Sequence, residues 1–119
     1  MLPRNRGHIV QMSSVAGAIP FPGLAAYAGS KAGLTNFSET LRLELKHTDI
    51  GITVVSPGPV DTEMWEPTFE RLGEDAVREG FAKRVPMARW GTADEIADAA
   101  STADEAVVTS ATISVRSLI

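Results

Sequence analysis

The short apolar stretch His8 to Met12 follows Gly7 and stops at the pair Ser13-Ser14, a pattern that predicts a buried strand. Residues 15–23 are rich in Gly, Ala and Pro and show neither helical nor alternating periodicity, so they read as a loop. From about Leu24 the spacing becomes helical. Leu34, Phe37, Leu41 and Leu45 recur at steps of three and four, which predicts a long helix ending between His47 and Gly51. The same spacing predicts that this stripe packs on the core while Glu39, Arg42 and Lys46 face water. Ile52 to Ser56 is β-branched and apolar on both alternating sets, as a parallel strand covered on both faces would be, and Pro57-Gly58-Pro59 ends it. Helices are expected over residues 62–71 and 75–83. Thr92 and Glu95 form a capping-box pattern that opens a helix to about Ala100, and residues 112–115 have strand composition.

Strand, helix, strand, helices, strand is the order of two linked βαβ crossovers, so the expected fold class is α/β with a parallel sheet of about three strands and a long helix after the first. Such a sheet needs neighbours at its edges and helices on both faces. Residues 1–119 therefore read as one incomplete domain, part of something larger.

Composition narrows the chemistry. With 44% apolar and 22% charged residues the chain is ordinary for a globular protein, and with no cysteine it has no disulfide, thiolate metal site or thiol nucleophile. The net charge of −4 is uneven: residues 1–60 hold five Lys and Arg against three Asp and Glu, and residues 61–119 hold six against twelve. Neither half offers the clustered basic face that nucleic acid requires. No apolar stretch approaches the roughly 20 residues of a membrane span, and no signal-peptide core follows the start. The expectation is a cytoplasmic protein that binds neither nucleic acid nor membrane. His8 and His47 are isolated from any metal-ligand spacing, so no metal site is expected.

Tyr27-Ala-Gly-Ser-Lys31 carries the strongest chemical signal. Residues four apart share a helix face, so an ammonium can stand beside a phenol, and a nearby cation favours the phenolate, bringing the hydroxyl toward acid/base work. Ser14 lies thirteen residues before Tyr27, just after a strand, and Pro57-Gly58 follows the next strand. Ligands of open α/β sheets bind beyond the carboxyl ends of strands, which places both segments at one crevice. Trp65 and Trp90, with Met64 and Phe69, fit either a substrate pocket or core packing.

GHIVQMSSVAG, YAGSK, VVSPGPVDTEM and VPMARWGTADEIA, in that order and spacing, resemble segments of the short-chain dehydrogenase/reductase family, classical type. The resemblance implies a Rossmann-like fold and an NAD- or NADP-dependent oxidoreductase that interconverts an alcohol and a ketone or aldehyde. It implies Tyr27 as acid/base, Ser14 bonded to the substrate oxygen, and Lys31 tuning Tyr27 and holding the nicotinamide ribose. It also implies that Pro57 and Gly58 let the backbone approach the nicotinamide, and that Val60 and Thr62 contact its carboxamide. Ser13 aligns with no catalytic role. A glycine-rich phosphate loop does not occur in the sequence, and Ser110, Arg116 and Ser117 stand where the family ending carries glycines and an aspartate. The chain thus looks like the C-terminal half of a family member. The expected ligand is a small-molecule alcohol or carbonyl compound, and the uncovered edge and helix face suggest a homo-oligomer or self-association. The rival expectation is a catalytically silent fragment or interaction module, unable to bind dinucleotide alone.

Overall fold

The computed structural model of the chain describes residues 1–85, 87–105 and 112–113. Strand β1 (Arg6–Met12) leads through a 3-10 turn (Val15–Gly17) into the long helix α1 (Ala25–Glu44), which returns the chain to strand β2 (Asp49–Val55). Helices α2 (Glu66–Leu72) and α3 (Glu74–Ala82) follow another 3-10 turn (Glu63–Trp65), then come α4 (Ala93–Glu105) and the two described residues of β3 (Thr112–Ile113). The sheet is parallel in the order β1-β2-β3. This bears out the expected α/β class.

β2 is the central strand, and Ile52, Thr53, Val54 and Val55 are nearly or fully buried there, as expected for a strand covered on both faces. Val55 packs with Ile96 of α4, and Val10 and Val60 close on the pair. Both strands begin earlier than the apolar pattern suggests. Seven pairs from Arg6 with Asp49 to Met12 with Val55 zip them together. Gly51, which breaks the pattern, is required inside β2: a Cβ there would stand 2.4 Å from Nδ1 of His8. The other ring nitrogen, Nε2, lies 2.8 Å from Thr53 Oγ1, so His8 has a packing role. The capping box forms as expected, with Glu95 N–H bonding Thr92 Oγ1 (3.2 Å) and Thr92 N–H bonding Glu95 Oε2 (2.8 Å). Ser114 and Val115 of the expected last strand, and Ser110, Arg116 and Ser117, lie outside the described residues.

The face of α1 that meets the sheet is not the one its leucines suggest. Ser38 is fully buried, and the Arg42 guanidinium, which pairs with Glu39, donates to Ile52 O of β2 at 3.1 and 3.3 Å. Leu34, Leu41 and Leu45 are only half-buried, and Phe37 is 55% exposed. The reason lies in small hydroxyl side chains that satisfy themselves within the helix, Ser38 Oγ on Leu34 O and Thr35 Oγ1 on Lys31 O. They allow close approach to the sheet at no cost in unpaired polar groups. The expectation that Arg42 faces water is therefore corrected, while the Glu39 side chain, 42% exposed, does meet water.

Candidate active site

The carboxyl ends of β1 and β2 are joined beyond the strands. Ser13 N–H bonds Val55 O (2.7 Å) and Val15 N–H bonds Pro57 O (3.0 Å), so the segment holding Ser14 lies beside the one holding Pro57 and Gly58. α1 is tied to the same place. Lys31 Nζ donates to Met12 O at 3.0 Å, and the buried Ser13 hydroxyl donates to Lys31 O at 3.1 Å and meets Thr35 Oγ1 at 2.8 Å. Gly17 permits the contact, because a Cβ there would come within 2.9 Å of the backbone at Lys31 and Ala32. Ser13, without a catalytic role by resemblance, is thus the bolt between β1 and α1.

Tyr27 opens the helix face one turn before Lys31, with Lys31 Nζ 5.7 Å from its ring centroid. Tyr27 is 36% exposed, and its hydroxyl has no partner among the described residues. Ser14 caps the 3-10 turn by accepting Ala16 N–H at 3.2 Å, which leaves its own hydroxyl proton free to donate outward. Ser14, Tyr27, Lys31, Pro57 and Gly58 therefore gather at one end of the sheet.

Val60 and Thr62 lie further along the same loop. Val60 forms a parallel bridge to Gly91, built from Gly91 N–H to Pro59 O (3.0 Å) and Asp61 N–H to Gly91 O (2.9 Å). A parallel bridge of this kind uses the flanking groups and spares the central residue. The N–H and C=O of Val60 thus take no part in it, and among the described residues no bond engages them. Thr62 is exposed at the start of the Glu63–Trp65 turn, with no capping bond from its side chain.

The aromatic residues settle into one cluster. Trp65 meets Phe81 and Trp90 edge-on at 4.9 Å, Phe69 lies 5.8 Å from Trp90, and Phe21 of the loop between Ser14 and Tyr27 stacks on Phe81 at 6.0 Å. Met64 stays 66% exposed. Trp65, Phe69 and Trp90 therefore serve packing, and the cluster joins the Ser14–Tyr27 loop to the flap made of α2 and α3. Arg78 stands over the rings of Phe69 and Trp90 at 5.0 Å each and pairs with Asp61 (2.8 Å) and Glu74 (2.7 Å). This bond holds the Asp61 carboxyl below its usual range and raises the Arg78 guanidinium. At the start of α4 the Arg89 fork grips Glu95 at 2.5 and 3.1 Å, and with Thr92 N–H it pulls the Glu95 carboxyl down to about 2. Asp61 and Arg78 escape sequence reasoning because seventeen residues separate them and no periodic pattern links them.

The family model described as short chain dehydrogenase matches residues 1–73 of the chain. The chain belongs to the short-chain dehydrogenase family. It is 36% identical over 97 residues to an uncharacterized oxidoreductase of Escherichia coli K12, YbbO, covering 81% of this chain and 36% of that protein. To the 3-oxoacyl-[acyl-carrier-protein] reductase FabG of the same bacterium it is 38% identical over 99 residues, covering 83% and 38%. Among solved structures, the F189W actinorhodin polyketide ketoreductase with NADPH superposes with a TM-score of 0.82 at 28% identity, covering 96% of this chain and 46% of that one. The chain spans less than half the length of these relatives. No described helix is long and apolar enough to cross a membrane.

Proposed function

We propose that the chain supplies the catalytic half of an NAD- or NADP-dependent oxidoreductase that interconverts an alcohol and a ketone or aldehyde. The observation that carries this reading is the meeting of Ser14, Tyr27, Lys31 and Pro57 beyond the carboxyl ends of β1 and β2, tied by Lys31 Nζ on Met12 O and Val15 N–H on Pro57 O. The donor set fits a nicotinamide riboside. Two of the three Lys31 ammonium protons are left for ribose hydroxyls after the bond to Met12 O. The unengaged N–H and C=O of Val60, with the exposed Thr62 hydroxyl, offer the donors and acceptor that a carboxamide takes. Gly58 leaves the backbone approachable, since a Cβ there would meet only Val85, at 3.7 Å.

The bound nicotinamide supplies or accepts the hydride. Tyr27, its hydroxyl open to the crevice, gives a proton to the carbonyl oxygen in reduction and takes one from the alcohol in oxidation. Ser14 donates its free hydroxyl proton to the same oxygen and stabilises the charge that grows there. Lys31 holds the ribose and keeps a positive charge beside Tyr27. The actinorhodin ketoreductase was solved with NADPH, which supports a nicotinamide dinucleotide as cofactor. A cytoplasmic location fits the cysteine-free composition, and the exposed Phe37 with half-buried Leu34, Leu41 and Leu45 favours self-association through α1.

The test joins the chain in frame behind the phosphate-binding half of the E. coli reductase FabG and follows NADPH oxidation with a panel of ketones. Turnover is expected, with near-abolition by Tyr27→Phe and a loss on the order of 10²-fold by Ser14→Ala. A fully active Tyr27→Phe variant would sink the assignment. A folded hybrid that binds NADPH and reduces nothing would favour the silent or interaction reading.

A further inference from the structure

The loop that follows β2 leaves the sheet through Pro57-Gly58-Pro59 and then runs past Val60 to Thr62, where it meets the flap of α2 and α3. Its backbone is secured on one side by the bridge to Gly91. On the other side Arg78 reaches across from α3 and bonds Asp61 Oδ1 at 2.8 Å. Arg78 is itself held firmly: Glu74, one helical turn earlier, takes its Nε at 2.7 Å, the rings of Phe69 and Trp90 flank it at 5.0 Å, and its carbonyl accepts Trp90 Nε1–H at 3.0 Å. An exposed ion pair between two free side chains contributes little, because both must be ordered to make it. Here the ordering of Arg78 is already done by its other contacts, so the bond to Asp61 falls on a prepared group. Four segments converge on this one guanidinium: the Val60–Thr62 loop, α2, α3 and the stretch before α4.

We infer that Arg78 is a positioning residue, which fixes the Val60–Thr62 segment through Asp61 so that the free backbone groups of Val60 and the Thr62 hydroxyl keep one presentation. The α2–α3 flap and the loop then move as a single piece. The identity of what Val60 and Thr62 contact rests on the proposed function; the clasp itself does not.

Hydrogen exchange of the full chain tests it, because the amides of Asp61 and Gly91 are both bonded in the bridge beside the clasp. Arg78→Ala and Asp61→Asn are each expected to speed exchange at these two amides on the order of tenfold while residues 52–55 of β2 stay unchanged. Arg78→Lys, which keeps the charge but loses the fork, should recover part of the protection. The double variant should be no faster than Arg78→Ala alone, since that change already removes the link to Asp61. Unchanged exchange at Asp61 and Gly91 in Asp61→Asn, or additive effects in the double variant, would overturn the inference. So would a larger effect from Glu74→Gln than from Asp61→Asn, because Arg78 would then serve α3 alone. If Arg78→Ala loosens β2 as well, Asp61→Asn decides the matter, as it leaves the ring and Glu74 contacts of Arg78 intact. Failure of the proposed function would show as absent turnover by the FabG hybrid and would leave the exchange comparison standing.

Discussion

Gly17→Ala and Gly33→Ala are the same chemical change made at a packed position and at an open one, and they should have opposite signs. A Cβ added at Gly17 would stand 2.9 Å from Ala32 N and from the carbonyl carbon of Lys31, and 3.2 Å from Lys31 O, where ordinary contact begins at 3.4 Å. Those are main-chain atoms in the middle of α1, which cannot rotate away, so the turn and the helix must part by about half an ångström. Overpacking of this kind costs about 1–3 kcal/mol. At Gly33, also on α1, nothing lies within 4 Å. There the methyl group should stabilise by about 0.5–1 kcal/mol by restricting the unfolded chain. In urea, where a small protein loses roughly 1–3 kcal/mol per molar, the two midpoints should straddle that of the parent chain and differ by about 1 M. Because Ser14 caps the turn that Gly17 ends, the same displacement should draw the Ser14 hydroxyl away from Lys31 and Tyr27. In the FabG hybrid that misplacement should cost up to about 10²-fold in turnover. A Gly17→Ala variant as stable as the parent would refute the close-packing argument, and one that is destabilised but fully active would refute the link to the site.

Ser13→Ala removes a buried hydroxyl that joins β1 to the Lys31 turn, and should lower stability by about 1–2 kcal/mol while sparing chemistry, unlike Ser14→Ala; denaturant midpoints and turnover of the hybrid check both halves. Glu95→Gln should weaken the start of α4 at neutral pH. Glu95 in the folded chain is held down to about 2, below the ordinary 4.5, so its ionised form contributes above pH 4.5 and that contribution disappears as pH falls through about 2. The melting temperatures of parent and Glu95→Gln should therefore differ at pH 7, converge between pH 4.5 and 2, and lie closer together at high salt. Ile52→Ala, at a position 2% exposed in the central strand, should cost about 2–5 kcal/mol and lower the thermal midpoint by roughly 10–20 °C.

The strands were legible because β2 is apolar on both faces, and the candidate site was legible because Ser14, Tyr27 and Lys31 stand at a recognisable spacing on adjacent elements. The capping box at Thr92 and Glu95 was equally plain, being a contact between residues three apart. What the pattern misreads is α1. Hydrophobic periodicity assumes that the apolar face is the buried face, and it cannot anticipate that Thr35 and Ser38 satisfy their hydroxyls inside the helix and go to the sheet in place of Phe37. The strand starts were missed because backbone pairing, not side-chain character, extends them to Arg6 and Asp49. The clasp of Asp61 and Arg78 and the stacking of Phe21 on Phe81 depend on how the flap folds back, which no local spacing encodes.

Most of the bonds that assemble the candidate site end on the main chain. Lys31 takes the carbonyl of Met12, Ser13 the carbonyl of Lys31, and Val15 lends its N–H to the carbonyl of Pro57. A carbonyl is present whatever side chain its residue bears, and an N–H is lost only to proline. Positions 12 and 15 can therefore drift in sequence without dismantling the scaffold, leaving selection to act on the few groups that face the crevice. Relatives that share little more than a third of their residues with this chain can keep the same architecture under such a rule.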